Sequence, residues 1–264
     1  MSKPAGPPPT STEVAQRVLA LRVVIAYSAA CPPRAELATR QAQWPVNEQR
    51  NFFEAAIQRR DQFRQRLREM GLAQFLTPKE IQILDSTIAT MTDRQQIDAG
   101  WRVESAQVLM WALNLLLAIP SMDNIASKAI LKLIPADSAL FISQAELRPA
   151  EEIRQARDVA ELWHWRSRTR QLMERGDKFP EASMRDGIQS FEDIIRVAAE
   201  KAAEDGVIPE PIDDDFPVRG VAYRDLSKKD WSRVRSISVE RHFALNWLCG
   251  YAPPNRWDLT PTGT

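Results

Sequence analysis

TDRQQIDAGWRVESAQVLMWALNLLLAI, residues Thr92 to Ile119, reads as one long helix that becomes more apolar toward its end, and Pro120 stops it. Ile97, Trp101, Glu104, Val108, Trp111 and Leu115 recur at helical spacing on one face. Its most apolar part, Val108 to Ile119, is interrupted by Asn114 and is too short to span a bilayer, so the segment suits a buried helix. A helix of this kind needs others to cover it, and that requirement sets the fold class.

Helical spacing supplies them on both sides. Val14, Val18, Leu21 and Ile25 mark a first helix capped by Thr12 and ended by Cys31-Pro32-Pro33. A second runs from Val46 to Met70, with Phe52, Phe53, Ala56, Ile57, Phe63 and Leu67 as its apolar stripe. Its arginines at 50, 59, 60, 64, 66 and 68 are interleaved with Glu48, Glu54, Asp61 and Glu69, which favours a solvated face laced with intrahelical pairs over an anion or partner surface. Thr77-Pro78 opens a short helix through Ile88. Shorter helices are expected over Asp123 to Leu133 and Asp137 to Gln144, and long ones over Pro149 to Met173 and Pro180 to Glu204, the last ending at Asp205-Gly206. Val239 to Tyr251 is a final helical run, and no alternating strand or internal repeat interrupts the series. The expected fold is therefore all-α: an irregular multi-helix single domain over residues 12–264, with subdomains 12–91 and 92–264 as the alternative division. It is preceded by a disordered Pro-rich leader, residues 1–11, and closed by an irregular C-terminal tail.

The 264 residues are 44% hydrophobic and 27% charged, an ordinary globular composition with enough apolar material for a large core. Equal numbers of basic and acidic residues, 35 of each, argue against a nucleic-acid or anionic-membrane surface as the purpose of the whole chain. Cys31 and Cys249 are the only cysteines, which leaves neither a disulfide framework nor a zinc knuckle and fits a reducing cytoplasm. Arg17 to Cys31 faintly imitates a lipoprotein signal, but Arg22 breaks the apolar run, so a cytoplasmic location is expected.

Chemistry-bearing residues concentrate on three helices. Glu104 lies within an apolar stripe, where an unpaired charge costs several kilocalories per mole, so it must meet a base or sit at a cavity. Asp158, Leu162, Trp165, Thr169 and Leu172 form a second row, with His164 beside it. Glu240, Phe243 and Trp247 share a face of the last helix, while His242 and Asn246 lie one turn apart on another. The structural reading makes Arg241 or Arg102 the partner of Glu104 or Asp158, and makes each histidine a core residue with its own hydrogen-bond partner. The chemical reading takes Glu104, Asp158, His164, Glu240 and His242 as acids, bases or ligands around one site. Glu161-x-x-His164 has the spacing of di-iron bundle ligands, but the required second copy is missing: Glu240 and His242 point about 200° apart on a helix of ~3.6 residues per turn.

Other chemistry has less support. The three aspartates Asp213, Asp214 and Asp215 lie in the long irregular stretch Val207 to Leu226, where a solvated acidic loop is favoured over a cation site because a calcium loop's spacing and glycine turn are absent. No Gly-rich phosphate loop, HExxH or GxSxG occurs, and Cys249 lies two turns from His242, beyond direct contact. The eight tryptophans suit core packing better than base stacking.

VERHFALNWLCGY (Val239 to Tyr251) followed by NRWDLTPTGT (Asn255 to Thr264) resembles the C-terminal signature of a bacterial family, domain of unknown function 4272. GWRVESAQVLMWAL (Gly100 to Leu113), LRPAEEIRQARDVAELWHWRSR (Leu147 to Arg168) and RGVAYRDL (Arg219 to Leu226) look like further blocks of it in the same order. The family often ends in an acid where this chain has Gly263, so no terminal carboxylate side chain is available here for a role. The resemblance marks Trp101, Glu104, Trp111, Asp158, Trp165, Arg241, Asn246, Trp247, Trp257 and Asp258 as signature positions, and it implies no activity and no cofactor. Missing catalytic motifs and amphipathic helices lead to one expectation: a non-enzymatic binding or regulatory module that engages another protein, not nucleic acid or a membrane. A metal-dependent or acid–base enzyme at the helix junction is the alternative.

Overall fold

A computed structural model of the chain describes residues 6–32 and 34–263. Three threonines in it open helices by one device. The hydroxyls of Thr10, Thr77 and Thr92 accept from the backbone N–H of Glu13, Glu80 and Gln95, whose side chains accept in return from the threonine backbone N–H. Each such box satisfies two otherwise orphaned donors. The helices that follow are α1 (Ser11–Ala29), α4 (Pro78–Asp85) and α5 (Asp93–Ala112). The remaining α-helices among the described residues are α2 (Arg34–Gln41), α3 (Val46–Glu69), α6 (Ser138–Ser143), α7 (Ala150–Glu174), α8 (Phe191–Glu204) and α9 (Lys228–Leu248). One two-residue hairpin, β1 (Pro217–Val218) with β2 (Val221–Ala222), is the only sheet among them, so the fold is all-α.

The core is a row of four long helices, α1 against α5, α5 against α9 and α9 against α7. Every residue of α5 from Val103 to Ala112 is buried, as expected of a helix covered on all sides. One apolar cluster runs from Val14 in α1 to Trp257 in the tail, and the α1–α5 packing crosses the boundary at residue 91. The run Ser11–Gln41, which includes α1, contains a window long and apolar enough to cross a membrane, with mean hydropathy 1.4, yet 67% of that window is buried inside the protein.

Several boundaries differ from the sequence expectation, each for a local reason. The helix expected to reach Ile119 stops at Ala112, because Asn114 takes the left-handed conformation (φ 61°) while Leu115 N–H donates to Met110 O and Asn114 N–H to Trp111 O. Leu117 is left 97% exposed. The helix expected from Pro180 begins only at Phe191, after a tight turn at Gly187 (φ 77°) in which Arg185 and Ile188 exchange backbone hydrogen bonds. Ser190 then caps it through Asp193 N–H. The segment expected to be helical from Asp123 holds a 3-10 stretch, Lys128–Leu133, preceded by carbonyls of Pro120, Ser121, Asp123 and Asn124 that accept from arginine side chains.

Thr10 replaces Thr12 as the cap of α1, and this changes the account of the leader. Residues 1–5 lie outside the described residues, but from Gly6 onward the expected disorder gives way to docking: Gly6 N–H donates to Gly250 O at 3.1 Å, and Pro9 is buried. Gly250 has φ 79°, and a Cβ there would stand 2.5 Å from Gly6 O, so both conformation and contact require glycine.

Candidate functional site

The junction of α5, α7 and α9 carries the candidate acids and histidines, and the structure resolves them into separate contacts. Glu104 and Arg241 are fully buried and face one another, with Arg241 Nε 2.9 Å from Glu104 Oε2. Glu104 Oε1 accepts from Ala126 N–H at 2.7 Å. The rest of the Arg241 guanidinium donates to the carbonyls of Pro120, Ser121 and Asn124, so this one side chain ties α9 to α5 and to the linker after it. Burial pushes the Glu104 carboxyl up and the Arg241 guanidinium down, while their mutual attraction opposes both shifts. Every oxygen and nitrogen of the pair is occupied, which is the arrangement of a structural cross-link.

Glu240 sits half-buried one residue earlier on α9, 3.3 Å from Arg102, and accepts from Ser105 Oγ at 2.8 Å. Arg102 also lies over the Phe243 ring. Asp158 does not enter the junction. Its side chain is 68% exposed beside Arg157, although Leu162 and Trp165 of its row pack half-buried against the core and Thr169 is buried. The residues that α7 buries are Ile153, Arg157, Ala160, Trp163, Arg166, Ser167 and Thr169.

His164 and His242 do not have separate partners as the structural reading expected. They meet across α7 and α9 with Nδ1 to Nδ1 at 2.9 Å, so one ring donates and the other accepts. Burial and the charges of Arg235 and Arg168 push His164 down to about 4; burial, His164 and Arg157 push His242 down to about 3. Both imidazoles are therefore neutral near pH 7. Neither Glu104 nor Glu240 is among their hydrogen-bond partners; Glu161 accepts from Arg157 at 2.6 Å, and no cluster of three or more His, Cys, Asp or Glu with metal-binding geometry occurs among the described residues. Burial raises both thiols to about 11, which keeps Cys31 and Cys249 protonated at neutral pH.

Three buried arginines, none of them singled out in the sequence, anchor the irregular parts. Arg157 donates to Asn246 Oδ1 at 2.9 Å, and Asn246 donates on to Pro261 O, so the α7–α9 contact holds the tail. Arg166 grips Asp215 through two nitrogens, and Asp215 also accepts from Phe216 and Arg224 N–H. The aspartate run is thus not a uniformly solvated loop: Asp213 and Asp214 are exposed in left-handed conformations (φ 48° and 61°), while Asp215 is fully buried. Arg17 pairs with buried Glu80 and lies over the Trp257 ring. Trp257 itself is 1% exposed, between Phe243 and Trp247, and Asp258 beside it is half-buried. Trp247 Nε1–H donates to Pro254 O, Trp111 is buried under Arg148, and Trp101 and Trp165 are half-buried against the core.

A cleft of about 810 Å³ lies between the linker 119–123, α7, α9 and the loop 207–220, with Ile119, Met122, Val159, Trp163, Val207 and Ile212 among its walls. The helix α3 buries only Ala56 and Leu67. Val46, Arg50, Phe53, Ile57, Arg60, Arg64 and Arg68 fall in one stripe along it, and Val46, Phe53 and Ile57 are 75%, 43% and 46% exposed. Among the described residues the only ion pair within α3 is Arg60 with Asp61, while Arg64 reaches Asp85 of α4, so the expected lacing of intrahelical pairs is largely absent.

The fold and its junction define a class: an all-α protein whose helices are cross-linked by buried arginine pairs and which presents an apolar cleft and one sparsely covered helix. A family model described as Domain of unknown function (DUF4272) matches residues 5–182, about two thirds of the chain. The chain belongs to this family. The match takes in the blocks at Gly100–Leu113 and Leu147–Arg168, whereas the blocks from Arg219 onward, including the C-terminal run, lie outside it. No curated protein and no solved structure matches the chain.

Proposed function

We propose that this protein is a cytoplasmic, non-enzymatic binding or regulatory module that engages another protein through the outer stripe of α3. The observation that carries this reading is the exposure of Val46, Phe53 and Ile57 in line with Arg50 and Arg64 on a helix that contributes only two buried residues to the core. Six arginines against four acids give α3 a net positive charge, so the complementary partner surface is apolar and acidic. The polar residues of the junction support the same reading, because Glu104, Arg241, Glu240 and Arg102 are held by one another and by backbone groups.

Affinity capture from the native host with wild-type protein and the F53E/I57E double variant tests it. The expected result is a partner retained by wild type, released by high salt, and lost from the variant with its melting temperature unchanged. Capture that is insensitive to both salt and the substitutions refutes the α3 surface.

The second reading, a metal-dependent or acid–base enzyme, draws on one observation: the direct Nδ1 contact of His164 and His242. Elemental analysis of the purified protein addresses it. A stoichiometric metal that is lost on His164→Gln, with the fold intact, favours the enzyme over the binding module.

A further inference from the structure

The cleft beside Arg241 differs from the α3 stripe in being walled on several sides, and its electrostatics decide what it takes. Its floor is α9 at Arg241 and Leu245, one wall is α7 at Val159 and Trp163, and the facing walls are the linker 119–123 and the loop 207–220. At about 810 Å³ it lies in the size range of small-molecule sites.

Its cations are matched internally, while the Glu210 carboxylate stands exposed at its edge. Arg241 is paired with Glu104 and bonded to the carbonyls of Pro120, Ser121 and Asn124. Arg219 reaches from the loop to the linker, donating to Asp123 O at 2.5 Å with its Nε 3.9 Å from the Asp123 carboxylate. An anionic ligand entering here meets no free cation and loses its hydration. A peptide strand fares no better, because each residue brings an N–H and a C=O, and the linker carbonyls at 120, 121, 123 and 124 already accept from arginines.

We infer that this cleft is a binding site for a small, predominantly apolar molecule that carries no negative charge, with Val159, Trp163, Met122 and Ile212 in contact with it. Arg219 and Asp123 close one side of the site by joining the loop to the linker, and Arg219 holds a left-handed conformation (φ 51°) in doing so. The inference is independent of the α3 surface, and either stands if the other fails.

The test uses the full chain and the neutral fluorophore N-phenyl-1-naphthylamine, with anionic 1-anilinonaphthalene-8-sulfonate as the charged counterpart. Wild type should bind the neutral probe saturably at one site, with quenching of Trp163 emission that disappears in W163F. Ala156→Trp, which fills the cleft from α7, should weaken binding at least tenfold, while Leu259→Trp, at a separate cleft of about 670 Å³ lined by Phe75, Trp257 and Leu259, should leave it unchanged. Should A156W fail to fold, the Trp163 quenching signal alone decides the location. The inference is overturned by absence of saturable binding to wild type, by binding unaffected in folded A156W, by quenching that persists in W163F, or by tighter binding of the anionic probe.

Discussion

Arg241 shows how much of this fold rests on single charged side chains. It pairs with Glu104 and holds three carbonyls of the following linker, all in a fully buried setting. Arg241→Met should therefore destabilise the protein by about 3–5 kcal/mol, since it leaves the Glu104 carboxylate buried without a counter-charge. Urea unfolding measures this, and E104L/R241M should recover part of the loss; a change in R241M within about 0.5 kcal/mol would contradict the cross-link. The histidine pair makes a pH prediction. Because both folded imidazoles titrate near 4 and 3, below the ordinary value of 6.5, the unfolded chain binds more protons as pH falls below about 6.5. Stability is then full above that pH and declines toward pH 4, by up to about 1.4 kcal/mol per pH unit for each imidazole. Melting temperature measured from pH 7.5 down to about 5 should fall in wild type and fall less in H164N/H242N; parallel curves would contradict it. That Glu104 needs a base was legible in the sequence, because an acid in an apolar row demands one; that Arg241 and not Arg102 supplies it was not. Arg17, Arg157 and Arg166 were not, since an arginine on a helix is ordinarily read as surface, and only the spacing of Ile153, Arg157, Ala160 and Ser167 marks the buried face of α7.

At the level of elements, helix starts were legible where capping chemistry marked them, whereas α8 begins well after the expected Pro180 and α9 well before Val239. Thr77 with Pro78 and Thr92 before α5 announce themselves through capping chemistry, whereas Asn114 ends α5 by adopting a conformation that asparagine permits without requiring. The apolar string from Leu115 to Ile119 continues the composition of a helix while the backbone has already turned, so apolarity alone overran the boundary. In α3 the stripe was legible but its destination was not: Phe53 and Ile57 lie in the same periodic set as Ala56 and Leu67, yet only the latter two are buried. The tail behaves as an element of its own. Trp257 packs against Phe243, Trp247 and Arg17, and Asn246 holds the Pro261 carbonyl. Trp257→Ala should cost about 3–5 kcal/mol, and removal of residues 255–264 should lower the melting temperature at least as much. Thermal unfolding that is unchanged by either alteration would show that the tail contributes nothing to the fold.

For the molecule as a whole, the buried arginine pairs lie at its seams: Arg17 joins α1 to α4 and the tail, Arg157 joins α7 to α9 and the tail, Arg166 joins α7 to the irregular loop, and Arg241 joins α9 to α5. In the proposed reading, a core of four helices held in this way leaves binding to what remains exposed, and the apolar and basic stripe of α3 is the surface offered to the protein partner. The dissociation constant of the captured partner, measured by calorimetry for wild type, F53E/I57E and H164N/H242N side by side, tests this division most directly. The account predicts that the α3 variant loses binding while the histidine variant keeps wild-type affinity. Binding retained by F53E/I57E and abolished by H164N/H242N, with both variants folded, would contradict it.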